Sequence, residues 1–182
     1  MTGSESVEMK LYHFTVIENL VLISWNGLKP DPLRGTRHAG HPVVWLTRQR
    51  SNAATAADVE HFARPGVPEA VLGAPLFGGP ERVTVHLERH DRKLVRYAEI
   101  ASEIEKSVLR PHNLVSWWVY FDHIPPSKIE PITVAQAIAG LDVLIDTADD
   151  FKKRARYTAM RAELSLQNAD RPVTWDLTET DR

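Results

Sequence analysis

The stretch LVSWWVYF, residues 114 to 121, is the densest run of aromatic and β-branched side chains in the sequence, and the paired prolines of DHIPPSKIEPI follow at once. A run of this composition reads as a strand. The prolines bar the segment after it from a central place in a hydrogen-bonded ladder. Successive strand residues point to opposite faces, so Trp117 and Trp118 must part company. Either both are core, or one is core and the other meets a cleft or a partner.

Other strands fall into place around this one. VVWLT at 43 to 47 is β-branched and aromatic and delivers Thr47 at its end. RVTVHLE alternates from 82 to 88, which predicts that Val83, Val85 and Leu87 share one face. Lys10 to Phe14 reads as a short first strand. Thr15 with Glu18 three positions on has capping-box spacing, predicting a helix from Val16. Its apolar positions Ile17, Leu20, Val21 and Ser24 or Trp25 keep helical spacing, and Gly27 is its natural stop.

Further along, His90, Asp91 and Arg92 turn the chain, and LVRYAEI is either extended or the approach to a helix. Ser102 and Glu105 predict a short helix to about Leu109. Thr133 to Gly140 reads as a short helix with a Thr and Gln cap, and VLIDT at 143 to 147 as a short buried strand. The longest helix is expected from Ala148 to about Gln167, with Phe151, Ala155, Thr158, Ala162 and Leu166 as its inner stripe. SNAATAADVEHFA looks helical in its middle, and the Gly- and Pro-rich stretch after it reads as loop.

The strands are spaced irregularly, without the regular beat of βαβ crossovers. The pattern predicts a single α+β domain over residues 10–167, with a central, largely antiparallel or mixed split sheet and short flanking helices. Residues 1–9 are expected to be a flexible N-terminus and 168–182 a polar tail.

Composition narrows function by exclusion. With no cysteine in 182 residues, thiolate catalysis, disulfides and Cys-ligated zinc are out. A net charge of -2 supplies no whole-molecule basic field. No apolar stretch nears the roughly 20 residues that span a bilayer, and MTGSESVEMK lacks the order of a signal peptide. A cytoplasmic protein with no membrane partner is the expectation. His38 and His41 lie close, and Asp58 and His61 are one helical turn apart, but no HExxH or comparable run appears, so no metal site is expected. Nor is there a GxGxxG after a strand, a GxxxxGK[ST] or a G-x-S-x-G elbow. In the long loop GLKPDPLRGTRHAGH, Lys29, Arg34, Arg37 and His38 are either solvated surface charge or a set of phosphate-binding groups.

His13, in KLYHFT, is left as a core histidine, an edge residue or the first polar group of a ligand cleft. LYHFT, then NLVLISWNGLKP, then PVVWLT together resemble the opening of the ADP-ribosyltransferase-like superfamily, over residues 10 to 47 and more loosely 82 to 132. The resemblance implies NAD as substrate and a macromolecular acceptor, protein or nucleic acid. It implies that His13 hydrogen-bonds the NAD ribose, that backbone around Tyr12, His13 and Phe14 receives the nicotinamide amide, and that Thr15 supports the loop. Trp45 or Thr47 would shape the nicotinamide side of the pocket. Ser116 falls about where those proteins place a catalytic glutamate; Glu130, beyond the prolines, is expected to point elsewhere unless the alignment shifts, and Asp122 is another candidate carboxylate. The resemblance therefore leaves three readings: an ADP-ribosyl transferase using His13 and Ser116, a catalytically inactive interaction module with an exposed Trp175, or an RNA 2'-phosphotransferase-like enzyme.

Overall fold

The computed structural model describes residues 7–30, 37–38, 41–50, 79–108 and 115–175. The expected helix within 51–63, the Gly- and Pro-rich stretch up to residue 78, Asp58 and His61, and the last part of the tail lie outside them.

Alternating apolar side chains give the strands, and the strands give one sheet. β1 (Glu8–Thr15) is followed by α1 (Ile17–Asn26), a small hairpin of β2 (Arg37–His38) and β3 (His41–Pro42), then β4 (Val44–Thr47). β5 (Glu81–Glu88) and β6 (Leu94–Arg96) lead into the short helices α2 (Tyr97–Ile100) and α3 (Glu103–Val108). β7 (Trp117–Tyr120) is followed by a 3-10 turn at Pro126–Lys128, then α4 (Val134–Thr147) and α5 (Phe151–Leu164). Five strands form an antiparallel sheet in the order β5-β1-β4-β7-β6. The outer edge of β5 is partly covered where Ile129 bridges Val85 and Glu130 N–H donates to the Thr84 carbonyl at 2.8 Å.

Alternation along the strands sorts the core into two layers. On one face Met9, Leu11, Val83, Val85, Leu87, Val44, Leu46 and Trp118 pack with Leu20, Val21, Ala137, Leu141 and Leu164 of the helices. There α1 lies against α4, and α4 against α5. On the other face Val43, Trp45, Trp117 and Val119 close over Tyr97 and Ala101. Val83, Val85 and Leu87 share a face as their alternation predicts, and both Trp117 and Trp118 are core, on opposite sides of the sheet.

Several local expectations give way to packing. Thr15 remains in β1, and the residue capping α1 is Val16, with no side-chain cap; the Thr15 hydroxyl accepts from the Asn19 side chain at 2.9 Å instead. Gly27 does end α1, at φ 75, where any Cβ would lie 2.1 Å from the Ile124 carbonyl oxygen. The aromatic strand is shorter than LVSWWVYF: residues 115–116 are helical and β7 begins at Trp117.

The Thr133–Gln136 capping box forms, but α4 runs through Gly140 to Thr147, and VLIDT is helix rather than strand. Gly140 does not stop the helix; it lets α4 approach α1, since a Cβ there would meet the Ile17 carbonyl at 2.6 Å. In α5 the inner stripe is Tyr157, Met160 and Leu164. The set beginning at Phe151 faces outward, leaving Phe151 83% and Leu166 90% exposed. Both sets keep helical spacing; the contact with α4, fastened by an ion pair between Arg161 and Asp142, selects the other one.

Residues 168 to 175 fold back on the domain. Val173 N–H donates to the Ile132 carbonyl, and Trp175 stacks on Trp25 at 6.1 Å while its Nε1–H donates to Ser24 at 3.1 Å. Trp175 is therefore partly buried, not the exposed tail residue expected. No helix among the described residues is long and apolar enough to cross a membrane.

Candidate functional site

β1 holds eight register pairs with β5 but only one with β4, Tyr12 opposite Thr47. At that narrow seam, where the ladder does not continue, the His13 ring takes the place of a backbone donor. Its Nδ1 lies 3.0 Å from the Trp45 carbonyl oxygen. A carbonyl oxygen only accepts, so Nδ1 carries the hydrogen and Nε2 of the neutral ring keeps its lone pair. Burial lowers the His13 pKa below the ordinary 6.5, with the Trp45 bond opposing the shift in part. The neutral ring is thus the dominant form at pH 7. His13 is partly covered rather than sealed in the core.

The remaining residues named from the sequence divide between the two faces. His13 and Thr15 follow Leu11 onto the helix-covered face, whereas Tyr12 and Phe14 alternate to the opposite one. Trp45 and Thr47 join Tyr12 there. The Trp45 indole is 2% exposed and packs edge-on to Tyr97 and Trp117, with centroids 4.7 and 6.0 Å away. It meets His13 through its backbone carbonyl, not its ring. Thr47 is buried, and its hydroxyl accepts from the Gln49 N–H at 3.1 Å. Ser116 stands just before β7: its hydroxyl accepts from the Gln49 side chain at 3.0 Å and its carbonyl from Arg48 N–H at 3.0 Å. His13 and Ser116 are not in contact through any of these bonds.

Register reveals a row that the sequence did not suggest. Trp117 pairs with Thr47, Thr47 with Tyr12, Tyr12 with Thr84, and Glu130 bonds Thr84 from the adjoining segment. Three hydroxyl-bearing side chains and a carboxylate therefore cross one face of the sheet in a line. Glu130 does reach the Tyr12 face after the prolines. Its pKa is lowered first by the hydrogen bond from Thr84 and then by Lys10, whose ammonium is 3.6 Å away; burial opposes both. The guanidinium of Arg82 lies 5.2 Å from the centre of the Tyr12 ring. The alternation of RVTVHLE places Thr84 on this face, but only the tertiary bridge from 129–130 to β5 brings in Glu130.

Asp122, the other carboxylate named, is tied to Lys93 at the surface, which lowers its pKa. Of the loop cations, Lys29 is exposed; Arg34 and the side chains of Arg37 and His38 lie outside the described residues. Among those residues no group of three His, Asp or Glu side chains is placed to hold a metal ion.

No family model matches the chain, and no curated protein or solved structure matches it either.

Proposed function

We propose that the protein transfers ADP-ribose from NAD to a macromolecular acceptor, protein or nucleic acid, with His13 orienting the NAD ribose. The observation that supports this reading is the state of His13 at the β1–β4 seam. Its Nδ1 is committed to Trp45, so the Nε2 lone pair is the group left to accept from a ribose hydroxyl. Nicotinamide is already a good leaving group, and the remaining task is to stabilise positive charge developing on the ribose.

A carboxylate suits that task, but Glu130, whose ionised form Thr84 and Lys10 favour, stands on the Tyr12–Thr84 face, across the sheet from His13, and takes no part in this scheme. Ser116, already accepting from Gln49, is a positioning residue in this scheme. Trp45 cannot offer its ring to nicotinamide while packed between Tyr97 and Trp117, so Trp45 contributes its carbonyl.

A second reading, an inactive interaction module of the same fold, is favoured by one specific observation: Trp45, Thr47 and Ser116 are all engaged in contacts of their own. Nicotinamide release from NAD, followed by chromatography with and without candidate protein and oligonucleotide acceptors, separates the two. The transferase reading expects saturable release that His13→Ala abolishes and that Glu130→Gln, across the sheet from His13, leaves unchanged. Release no faster than in buffer, together with no saturable NAD binding by calorimetry, would leave the module reading standing.

A further inference from the structure

Arginines in this protein keep unusual company. Among the described residues, Lys10, Lys93, Lys106, Lys153 and Arg161 pair with carboxylates, but Arg48 and Arg96 do not. Both guanidiniums lie over the same indole: that of Arg48 is 5.5 Å and that of Arg96 5.2 Å from the centre of the Trp118 ring. Register explains the convergence. Arg96 pairs directly with Trp118 across β6 and β7 and shares its face, while Arg48 lies two residues beyond Leu46, the β4 partner of Trp118, on that same face.

Cation–π attraction partly offsets the repulsion of two like charges brought to one ring. It does not satisfy their hydrogen-bonding capacity. Among the described residues, the only hydrogen bond made by either guanidinium is from Arg48 Nη2 to the Met9 thioether, at 3.2 Å, and a thioether is a weak acceptor. Trp118 adds a further donor: the residue is 5% exposed, and its Nε1–H is buried with no acceptor among the described residues. Apart from that sulfur, every polar side-chain group in the cluster donates. Both arginines are exposed, so a solute can reach them.

We propose that Arg48 and Arg96, held over Trp118, form a binding site for a phosphoryl group. The planar guanidinium fork matches phosphate oxygens two at a time, and a pair of such forks matches a dianion or two successive phosphates better than it matches a single carboxylate. Stacking on a buried ring holds each fork in place before the ligand arrives, which reduces the ordering cost of binding. The site lies on the His13 face of the sheet, two strands from β1 and so about 10 Å across the ladder. It stands on the arginine geometry alone and needs no transferase activity.

The test is calorimetric titration of the full chain with inorganic pyrophosphate at low ionic strength, repeated with a short oligothymidylate. Wild type should bind pyrophosphate at one site, and Arg48→Ala and Arg96→Ala should each weaken it about tenfold or more. Arg156→Ala is the control: Arg156 stacks on Trp25, 4.8 Å from the ring centre, and its loss removes an equal charge elsewhere. Arg48→Lys and Arg96→Lys, which keep the charge but lose the fork, should also weaken binding; circular dichroism of each variant checks the fold. If the oligonucleotide binds and its salt slope falls by about one for each arginine removed, the phosphate belongs to a polyanion. If pyrophosphate binds and the oligonucleotide does not, the natural ligand is a small phosphorylated molecule, and the site still stands. No pyrophosphate binding at millimolar concentration, or an Arg156→Ala loss equal to the other two, would overturn the proposal. Because no NAD is used, that failure would leave the reading of His13 untouched.

Discussion

Replacing Gly140 by alanine sets two physical effects against each other, and their sum has a definite sign. In an isolated helix the change would stabilise by about 1 kcal/mol, since glycine gives up the most backbone freedom. In this fold the new methyl would lie 2.6 Å from the Ile17 carbonyl oxygen and 3.1 Å from Val21 Cγ2, against an ordinary contact of at least 3.4 Å. To restore normal contact, α1 and α4 must separate by about 0.8 Å, the shortfall at the Ile17 oxygen. Overpacking of this kind costs about 1–3 kcal/mol, and an obstacle made of helix backbone, which cannot rotate away, belongs at the upper end. The net expectation is a loss of about 2 kcal/mol.

Urea unfolding followed by tryptophan fluorescence reads this directly. With a slope of about 2 kcal/mol/M, the midpoint should fall by about 1 M at unchanged slope. Adding Val21→Ala should recover little, because the carbonyl clash persists. A Gly140→Ala protein more stable than wild type would refute the reasoning, showing that helix propensity alone governs the position.

Three further outcomes follow from the same structure. Leu164→Ala should cost about 2–5 kcal/mol because Leu164 is fully buried, whereas Phe151→Ser should fall within about 0.5 kcal/mol of wild type; equal losses in urea would restore the Phe151 stripe as the inner one. His13 has a depressed folded-state pKa, so the unfolded chain binds the proton more readily; this residue's stabilisation is present above pH 6.5 and is lost as pH falls through that value toward the folded pKa. Midpoints measured from pH 8 to 5 should therefore fall for wild type, by at most about 1.4 kcal/mol per pH unit from this group, and fall less for His13→Gln; identical slopes would contradict the assignment. Tyr120, whose pKa burial and the hydrogen bond to Asp91 raise to about 12, should remain protonated at pH 11 in difference absorbance, and Asp91→Asn should lower its titration.

How far the sequence could be read depended on whether the cause of a feature was local. Alternation in RVTVHLE, β-branching in VVWLT and the reciprocal Thr133–Gln136 cap all act within a few residues, and each produced the element it predicts. Glycine was legible only in part. Gly27 ends α1 by its own positive φ, a local property, but Gly140 is needed because another helix comes close, and that looks the same in sequence. The inner stripe of α5 had the same ambiguity, because two sets of residues fit one helical period and only α4 distinguishes them.

The candidate site shows the same division. Amino-acid order by itself determined an α+β chain with a largely antiparallel or mixed sheet, a histidine on its first strand, and two adjacent tryptophans sent to opposite faces, since strand parity is a property of the backbone. Tertiary structure decided which groups meet: that His13 closes on the Trp45 carbonyl rather than its ring, that Glu130 joins Tyr12 and Thr84, and that Arg48 and Arg96 share Trp118. Those encounters depend on strand order and register across residues far apart in the chain. Register is selected by burying the whole apolar pattern at once, so no single segment encodes it.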